Sequence, residues 1–173
     1  MKAYFIFAGI LCALVLGACT VQKAVSGIRT GNIAPEISAT DPGGNIINLS
    51  SQRGKYVLIE FWEAGNSQAR KNHFEMGRMY QKYRDENFKD GTGFTIYSIS
   101  IDSDKAKWLS AIKEDIMVWP SQVIDTNGWN AKPLLDYAVA SLPKYYLLNG
   151  EGIILQHNII ISDLETILKS YIE

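Results

Sequence analysis

The chain has 173 residues, of which 47% are hydrophobic and 20% are charged, a balance that fits one packed globular domain. The formal net charge is −1, and the sequence contains neither a basic stripe nor an acidic tail. Length and charge therefore indicate a globular protein and exclude a nucleic-acid partner, but they do not indicate an activity.

The first 19 residues, MKAYFIFAGILCALVLGAC, contain one lysine and an apolar run that ends in Leu-Gly-Ala-Cys. They have the pattern of a secretory signal peptide, and the run is shorter than the ~20 residues that a membrane-spanning helix needs. The last four residues resemble the lipobox of bacterial lipoproteins, whose cysteine becomes the lipidated first residue after cleavage. We therefore expect a lipoprotein signal peptide over residues 1–18 and a lipid on Cys19. Ordinary signal cleavage, which would leave Cys19 as a free thiol, is the alternative.

The sequence contains two cysteines, Cys12 and Cys19. Cys12 lies inside the predicted signal peptide, so the mature chain has neither a free thiol nor a disulfide if Cys19 is lipidated. Its stability must then come from the hydrophobic core. Residues 19–32 show no helical or strand period and are interpreted as a lipidated tether, which leaves residues 33–173 for the folded domain.

Six extended segments are predicted from residue 33 onward, four of them in two hairpins. Turn residues at 41–44, Asp-Pro-Gly-Gly, predict an N-terminal β-hairpin. The apolar runs YVLIEFW (56–62) and FTIYSISI (94–101) predict strands that are covered on both faces. KYYLLN and IILQHNII flank the turn at residues 149–152 and predict an antiparallel hairpin.

Helices are predicted between and after these strands, because apolar residues recur three and four positions apart. The second helix should span residues 104–115 and a shorter third one residues 131–139; residues 162–165, Ser-Asp-Leu-Glu, form a capping box that should open the last helix. Strands that alternate with helices predict an α/β sheet of mixed direction. The residues expected to face inward are Met76, Met79, Tyr80 and Tyr83 in the first helix. In the second helix they are Trp108, Leu109 and Ile112, and in the last helix Leu164, Ile167, Leu168 and Tyr171.

The order and spacing of these segments resemble the thioredoxin-like superfamily, in its TlpA/ResA-like branch of membrane-anchored thiol–disulfide oxidoreductases, which neighbours the AhpC/TSA group. The resemblance covers about residues 33–172 and rests on IAPEI, LSSQRGKYVLIEFW, YSISID, LDYAVASLPKYYLLNGEGIIL and the final helix. It implies a thioredoxin-like fold, in which helices flank a central mixed sheet, here with the N-terminal β-hairpin as an extension. The activity that it implies is disulfide exchange.

The sequence departs from this family at the residues that carry the chemistry. In the family, Phe-Trp-Ala-Ser-Trp precedes Cys-x-x-Cys-Arg; aligned through Phe61, Trp62 and Arg70, the two cysteine positions fall on Asn66 and Ala69. Disulfide exchange begins with a thiolate that attacks a disulfide sulfur, and neither asparagine nor alanine can supply or resolve one. We therefore predict that redox activity is lost and that the site has no catalytic residue.

Glu60 lies six residues before Asn66, where many thioredoxins have a buried acid that passes a proton to the second cysteine. The resemblance thus implies a relic of that proton shuttle. The alternative is structural, because a carboxyl group inside a central strand must be neutral or paired.

Leu142-Pro143 matches the position of the cis-proline that faces the active site in this family. The resemblance implies that the backbone before this proline pairs with an extended peptide, a contact that needs no sulfur. The predicted binding groove consists of Ser141, Leu142 and Pro143 on one side and of Trp62, Gly65, Asn66 and Ser67 on the other.

Other chemistries are disfavoured by the residues available. Ser67 could act as a nucleophile only beside an oriented base, and an N-cap role for Ser67 or Asn66 fits the start of a helix better. The two histidines, His73 and His157, lack a thiol or spaced carboxylates to complete a metal site, and no glycine-rich loop precedes a helix. We expect neither a metal nor a cofactor.

The sequence therefore predicts a lipoprotein of the bacterial cell envelope that faces the periplasm and is held to a membrane by its lipid. It should bind an envelope protein or an extended peptide without redox chemistry, as a binding or scaffold module. The alternative function is a thiol–disulfide oxidoreductase or peroxide-reducing enzyme of the TlpA/AhpC-TSA type.

Overall fold

The computed structural model describes residues 25–173. The predicted signal peptide, Cys19 and the start of the predicted tether lie outside the described residues. Within residues 25–173, no helix is long and apolar enough to cross a membrane.

One seven-stranded sheet forms the centre of the molecule, with the strand order β2-β1-β7-β6-β3-β8-β9. β3 runs parallel to β6 and antiparallel to β8, so the sheet is mixed, as predicted. A separate two-stranded hairpin joins β4 and β5. The strands are β1 (Ser38–Thr40), β2 (Ile46–Asn48), β3 (Tyr56–Trp62), β4 (Asn87–Phe88), β5 (Gly91–Thr92), β6 (Phe94–Ser100), β7 (Ser121–Ile124), β8 (Lys144–Leu148) and β9 (Ile154–His157), and the helices are α1 (Ser67–Tyr83), α2 (Lys105–Glu114), α3 (Lys132–Asp136) and α4 (Leu164–Lys169).

Each face of the sheet has its own hydrophobic core, because successive side chains of a strand point to opposite faces. In β3, Leu58 and Trp62 contribute to the core that contains the buried residues of α1, α2 and α4. Ile59 and Phe61 contribute to the other core, with the N-terminal hairpin and α3. The same alternation places Glu60 on the α1 side of the sheet.

The predicted strands and hairpins are confirmed, and β3 has the predicted bounds of 56–62. β1 and β2 form the predicted N-terminal hairpin around residues 41–44. Three strands were not predicted: β7, which lies between β1 and β6 in the sheet, and the two short strands of the separate β4–β5 hairpin.

Residues 25–32, which were predicted to belong to the tether, are part of the domain. The Gly31 amide donates to the Ile154 carbonyl at 2.8 Å, and the Ile154 amide donates to the Asn32 carbonyl at 2.9 Å. The segment shows no regular period because it is a turn, and its backbone groups pair with those of the edge strand β9.

Two details of the predicted helices are wrong. Leu109 is 38% exposed, and Ala111 takes the predicted inward place beside Trp108. The capping box of the last helix does not form, because the helix follows directly on a 3₁₀ turn and its N-cap residue, Asp163, has helical backbone angles. Glu165 pairs with Lys82 instead, at 2.6 Å.

Candidate functional site

The first turn of α1 is held by Asn66, one of the two residues at the predicted cysteine positions. Asn66 is the N-cap of the helix, and its side-chain oxygen accepts hydrogen bonds from the amides of Gln68 at 3.0 Å and Ala69 at 2.9 Å. Ser67 begins the helix and is exposed. Of the two predicted N-cap candidates, Asn66 therefore has this role.

The same side chain joins the helix to the proline loop. The Leu142–Pro143 peptide bond is cis, as predicted, and Asn66 Nδ2 donates to the Leu142 carbonyl oxygen at 3.1 Å. One amide thus uses its oxygen within the helix and its nitrogen across the site. The carbonyl predicted to pair with a bound peptide is already in contact with the protein's own side chain.

The predicted groove is only partly open. Gly65, Ser67 and Ser141 are exposed, whereas Asn66, Leu142 and Pro143 are half-buried. The inclusion of Trp62 was wrong: its side chain is fully buried, and its ring lies edge-on to His73 with the centroids 4.6 Å apart. Trp62 therefore supports the site from below and does not line it.

A buried polar network lies beneath this surface, in the layer between β3 and α1. The His73 ring lies between two carboxylates, with Nδ1 2.6 Å from Asp115 Oδ2 and Nε2 3.2 Å from Glu60 Oε1. Ser98 Oγ donates to Glu60 Oε2 at 2.7 Å, and the Tyr145 hydroxyl donates to Glu60 Oε1 at 3.3 Å. Glu60 and His73 are both buried, so all their partners come from the protein.

Arg70 connects this network to the surface. Its guanidinium binds Asp115 through Nε, donates to Glu114 Oε2 at 2.9 Å and donates to the Ala64 carbonyl at 3.3 Å. Asp115 is the C-cap of α2, so the Arg70 and His73 contacts fix the end of α2 against the first two turns of α1.

The charges of the network shift the pKa values of its members. Burial by itself lowers the pKa of His73, but the Glu60 carboxylate and the Asp115 carboxylate outweigh it and raise the His73 pKa above its ordinary value. For Asp115, burial acts to raise the pKa, but hydrogen bonds and charge from Arg70 and His73 lower it overall. The arrangement therefore favours a protonated His73 between two carboxylates.

The geometry excludes His73 as a base for Ser67, because both ring nitrogens are engaged with carboxylates below the helix. Of the two interpretations of Glu60, the paired structural one agrees with its three partners, His73, Ser98 and Tyr145. The network itself was not predicted from the sequence. The sequence pattern that could have revealed it is the position of His73, three residues before Met76 and seven before Tyr80. This spacing places His73 on the face of α1 that packs inward.

The sequence profile of the AhpC/TSA family matches residues 30–167. The chain belongs to this family. Among curated proteins, it is 29% identical over 154 residues to the thioredoxin-like protein YneN of Bacillus subtilis, which covers 85% of each chain. It is 28% identical over 157 residues to the thiol-disulfide oxidoreductase ResA of Bacillus subtilis, covering 87% of this chain and 82% of ResA.

Solved structures of thiol-disulfide oxidoreductases have the same fold as this chain. The thioredoxin domain of a thiol-disulfide oxidoreductase from Bacteroides vulgatus superposes with a TM-score of 0.75 at 32% identity, covering 85% of this chain and all of that one. A thiol:disulfide interchange protein from a Bacteroides species gives a TM-score of 0.72 at 31% identity, covering 86% of this chain and 91% of that one. The predicted thioredoxin-like fold is therefore confirmed.

Replacing Asn66 by alanine should destabilise this AhpC/TSA-family domain by about 1–2 kcal/mol, because two helix amides and the Leu142 carbonyl lose their partner. Urea unfolding followed by circular dichroism measures the change. Ser67→Ala is the matched control, with an expected change below about 0.5 kcal/mol, because Ser67 is exposed. Equal losses in the two variants would contradict the assigned N-cap.

The raised pKa of His73 predicts that the free energy of unfolding falls on the alkaline side. A raised pKa contributes stability that is complete below the unfolded value of ~6.5 and is lost as the pH rises through the folded value. The lowered pKa of Asp115 acts on the other side, where stability is lost as the pH falls below its ordinary 3.8.

Urea unfolding at pH 5.5, 7 and 8.5, which extend from roughly one unit below to two units above the ordinary histidine pKa of ~6.5, tests this expectation. The wild type and a His157→Gln control should both lose stability toward pH 8.5, and His73→Gln should not. A wild-type stability that rises over this range would show that His73 is not held in its charged form.

Proposed function

We propose that this protein is a redox-inactive member of its family that binds a polypeptide at the bacterial cell envelope. The binding surface is formed by the start of α1 and the loop around Pro143. The observation that carries the proposal is the Asn66 side chain at the N-terminus of α1. Its oxygen accepts from two helix amides and its nitrogen donates to the Leu142 carbonyl, so an amide takes the place of a thiolate.

The chemistry of the family supports the loss of redox activity. Disulfide exchange passes through a mixed disulfide, so it needs a sulfur atom at the site. The full sequence has cysteines only at 12 and 19, and residues 25–173 contain none. Asn66 cannot form a thiolate, and Ala69, which is fully buried, cannot resolve a disulfide.

The surface around the site supports peptide binding. Gly65, Ser67 and Ser141 are exposed around the Leu142 carbonyl. A carbonyl oxygen has two lone pairs, so the contact with Asn66 leaves one acceptor for a peptide N–H. Next to it lies a cavity of about 630 Å³, whose wall includes amide side chains and an isoleucine that is 68% exposed, and an extended polypeptide could occupy it. The residues named from this wall are Gln68, Asn72, Ser141, Pro143 and Ile160.

The proposed location rests on the sequence of the first 19 residues, which end in Leu-Gly-Ala-Cys. A lipid on Cys19 would hold the domain at the periplasmic face of a membrane. Cys19→Ala should move the protein from the membrane fraction to the soluble fraction and abolish labelling with palmitate. A chain that remains in the membrane fraction without label would contradict this anchor.

The competing function is thiol–disulfide oxidoreductase, which the names of ResA and the Bacteroides structures favour. Insulin reduction with dithiothreitol as reductant separates the two proposals. We expect the purified full chain to give the rate of dithiothreitol alone. Turnover above that rate, abolished by changing residues 65–69, would overturn the non-redox proposal.

Photo-crosslinking in intact bacterial envelopes tests polypeptide binding. A benzoylphenylalanine at Ser141 should give a protein adduct, and the same group at Trp129, which is 51% exposed elsewhere on the surface, should not give that adduct. Asn66→Arg should reduce the Ser141 adduct by blocking the groove. An adduct that Asn66→Arg leaves unchanged would place the binding surface elsewhere.

A further inference from the structure

A groove of about 570 Å³ lies on the side of α1, away from the surface around Pro143. Phe74, Gly77 and Arg78 of α1 form one wall, and Ile116 and Val118 of the segment after α2 form the other. Phe74 lies eight residues after Asn66, which is about 12 Å along the helix axis. The groove is therefore separate from the proposed peptide-binding surface.

Three large apolar side chains of this groove face the solvent. Phe74 is 74% exposed, Ile116 is 73% exposed and Val118 is 45% exposed. Single exposed apolar residues are ordinary, but a cluster of them around one groove marks an interaction surface.

Ile116 has a backbone conformation that its residue type disfavours. It lies in the left-handed region, with φ of 52°, directly after the C-cap of α2, and the Met117 amide bonds back to the Ile112 carbonyl at 3.1 Å. Glycine is the usual residue at this position, and a β-branched side chain costs folding free energy there. Because the Ile116 side chain is exposed, burial does not offset this cost within the chain.

Gly77 has a similar cost in the middle of α1, since glycine is a poor helix residue. A methyl group at Gly77 would meet only a ring carbon of Trp119, at 3.9 Å, which is ordinary van der Waals contact. The fold therefore has room for alanine at this position. Gly77 and Ile116, which both lower the stability of the fold, thus line the same exposed groove. Unfavourable residues of this kind cluster at functional surfaces, where an interaction offsets their cost.

We propose that this face of α1 binds a second copy of the chain about a two-fold axis. Phe74 projects from the helix and Gly77 leaves a depression three residues later on the same face. When two such helices cross in antiparallel orientation, Phe74 of each copy covers Gly77 of the other. A surface with a projection and a matching depression is self-complementary, which a two-fold interface requires.

The charges on the helix fit this arrangement. Glu75 and Arg78 form an ion pair of 2.8 Å within one chain, and both are near the middle of the proposed contact. Across an antiparallel pair, Glu75 of one copy comes within reach of Arg78 of the other, so the pairs can exchange partners without leaving a charge alone. The other charged groups of the groove, Lys82 and Asp115, are bonded to Glu165 and to Arg70 and His73.

Sedimentation velocity of the full chain in density-matched detergent tests this proposal, over about 1–500 µM because a contact of one helix pair is at the weak end of interface sizes. We expect a dimer whose fraction rises with concentration. Phe74→Ser should raise its dissociation constant at least about tenfold, as for loss of a central aromatic contact. Trp129→Ser, which removes an exposed aromatic side chain from another surface, should leave the constant unchanged.

Two further variants separate an interface from a structural role. Gly77→Ala and Ile116→Gly should each raise the urea midpoint of unfolding and also raise the dissociation constant of the dimer. Gains in stability that accompany weaker association are not expected of residues that only support the fold. A chain that stays monomeric throughout the range, even if the groove captures a different protein, would overturn the proposal. A dimer that is insensitive to Phe74→Ser, as association through residues 1–24 would be, would overturn it too.

Discussion

An Asn66→Cys/Ala69→Cys double variant is expected to reduce insulin disulfides well above the rate of dithiothreitol alone, whereas the wild type is not. A cysteine at position 66 would lie at the N-terminus of the 17-residue helix α1, where the helix dipole and free amides lower a thiol pKa. Position 69 is fully buried, so the second thiol would be protected until the first has formed a mixed disulfide. The loss of the Asn66 hydrogen bonds costs about 1–2 kcal/mol, which a stable domain tolerates.

The single variants are the controls for this prediction. Asn66→Cys alone should form a stable mixed disulfide with an oxidised substrate, because no second thiol releases it, and Ala69→Cys alone should remain unreactive. Mass spectrometry should find the double variant two hydrogens lighter after oxidation. A folded double variant that forms its disulfide but reduces no insulin would show that a cysteine pair is not the only feature that this site lacks for disulfide exchange.

Glu60→Leu is expected to lower the free energy of unfolding by about 3–5 kcal/mol, the usual cost of removing one member of a buried charged pair. Glu60 is fully buried, and His73, Ser98 and Tyr145 all lose a partner in this variant. Each of these groups keeps its other partner, but the N–H or O–H that it directed at Glu60 then remains buried without an acceptor. Urea unfolding at pH 6 (about half a unit below the reference His pKa) measures the loss while His73 is still protonated in the unfolded chain.

A double variant shows how much of this loss comes from the contact with His73. Glu60→Leu combined with His73→Leu should lose less stability than the sum of the single changes, by at least about 1 kcal/mol, because neither partner is left alone. Asp85→Ala is the surface control: the Arg84–Asp85 pair is 50% and 86% exposed, and its loss should change stability by less than about 0.5 kcal/mol. If the stability losses of the two leucine variants simply add in the double variant, Glu60 and His73 are not energetically coupled.

Regular elements with a clear period were predictable from the sequence. β3 and β6 are continuous apolar runs, and the inward residues of α1 follow the helical repeat through Met76, Met79 and Tyr83. Elements without such a period were missed or misplaced. β7 is only four residues long, and residues 25–32 form a turn whose place depends on strand β9.

The features of the candidate site were also predictable only in part. The prediction that the family's cysteine positions fall on Asn66 and Ala69, and the position of a proline after Leu142, came from the family resemblance and needed no tertiary structure. That Trp62 is buried beneath the site, and that Glu60 meets His73, required the packing of α1 on β3.

The sequence by itself determined the chemistry that residues 25–173 lack, since no folding can create a thiol where the chain has no cysteine. It also determined the main strands and helices, because their periods are local properties of the chain. Only the tertiary structure decided what Asn66 does instead. Its bond to Leu142 joins residues 76 positions apart, and the contact between His73 and Asp115 joins residues 42 positions apart. Such contacts depend on how the helices pack on the sheet. Neither the period nor the composition of a local segment specifies which distant residues come together.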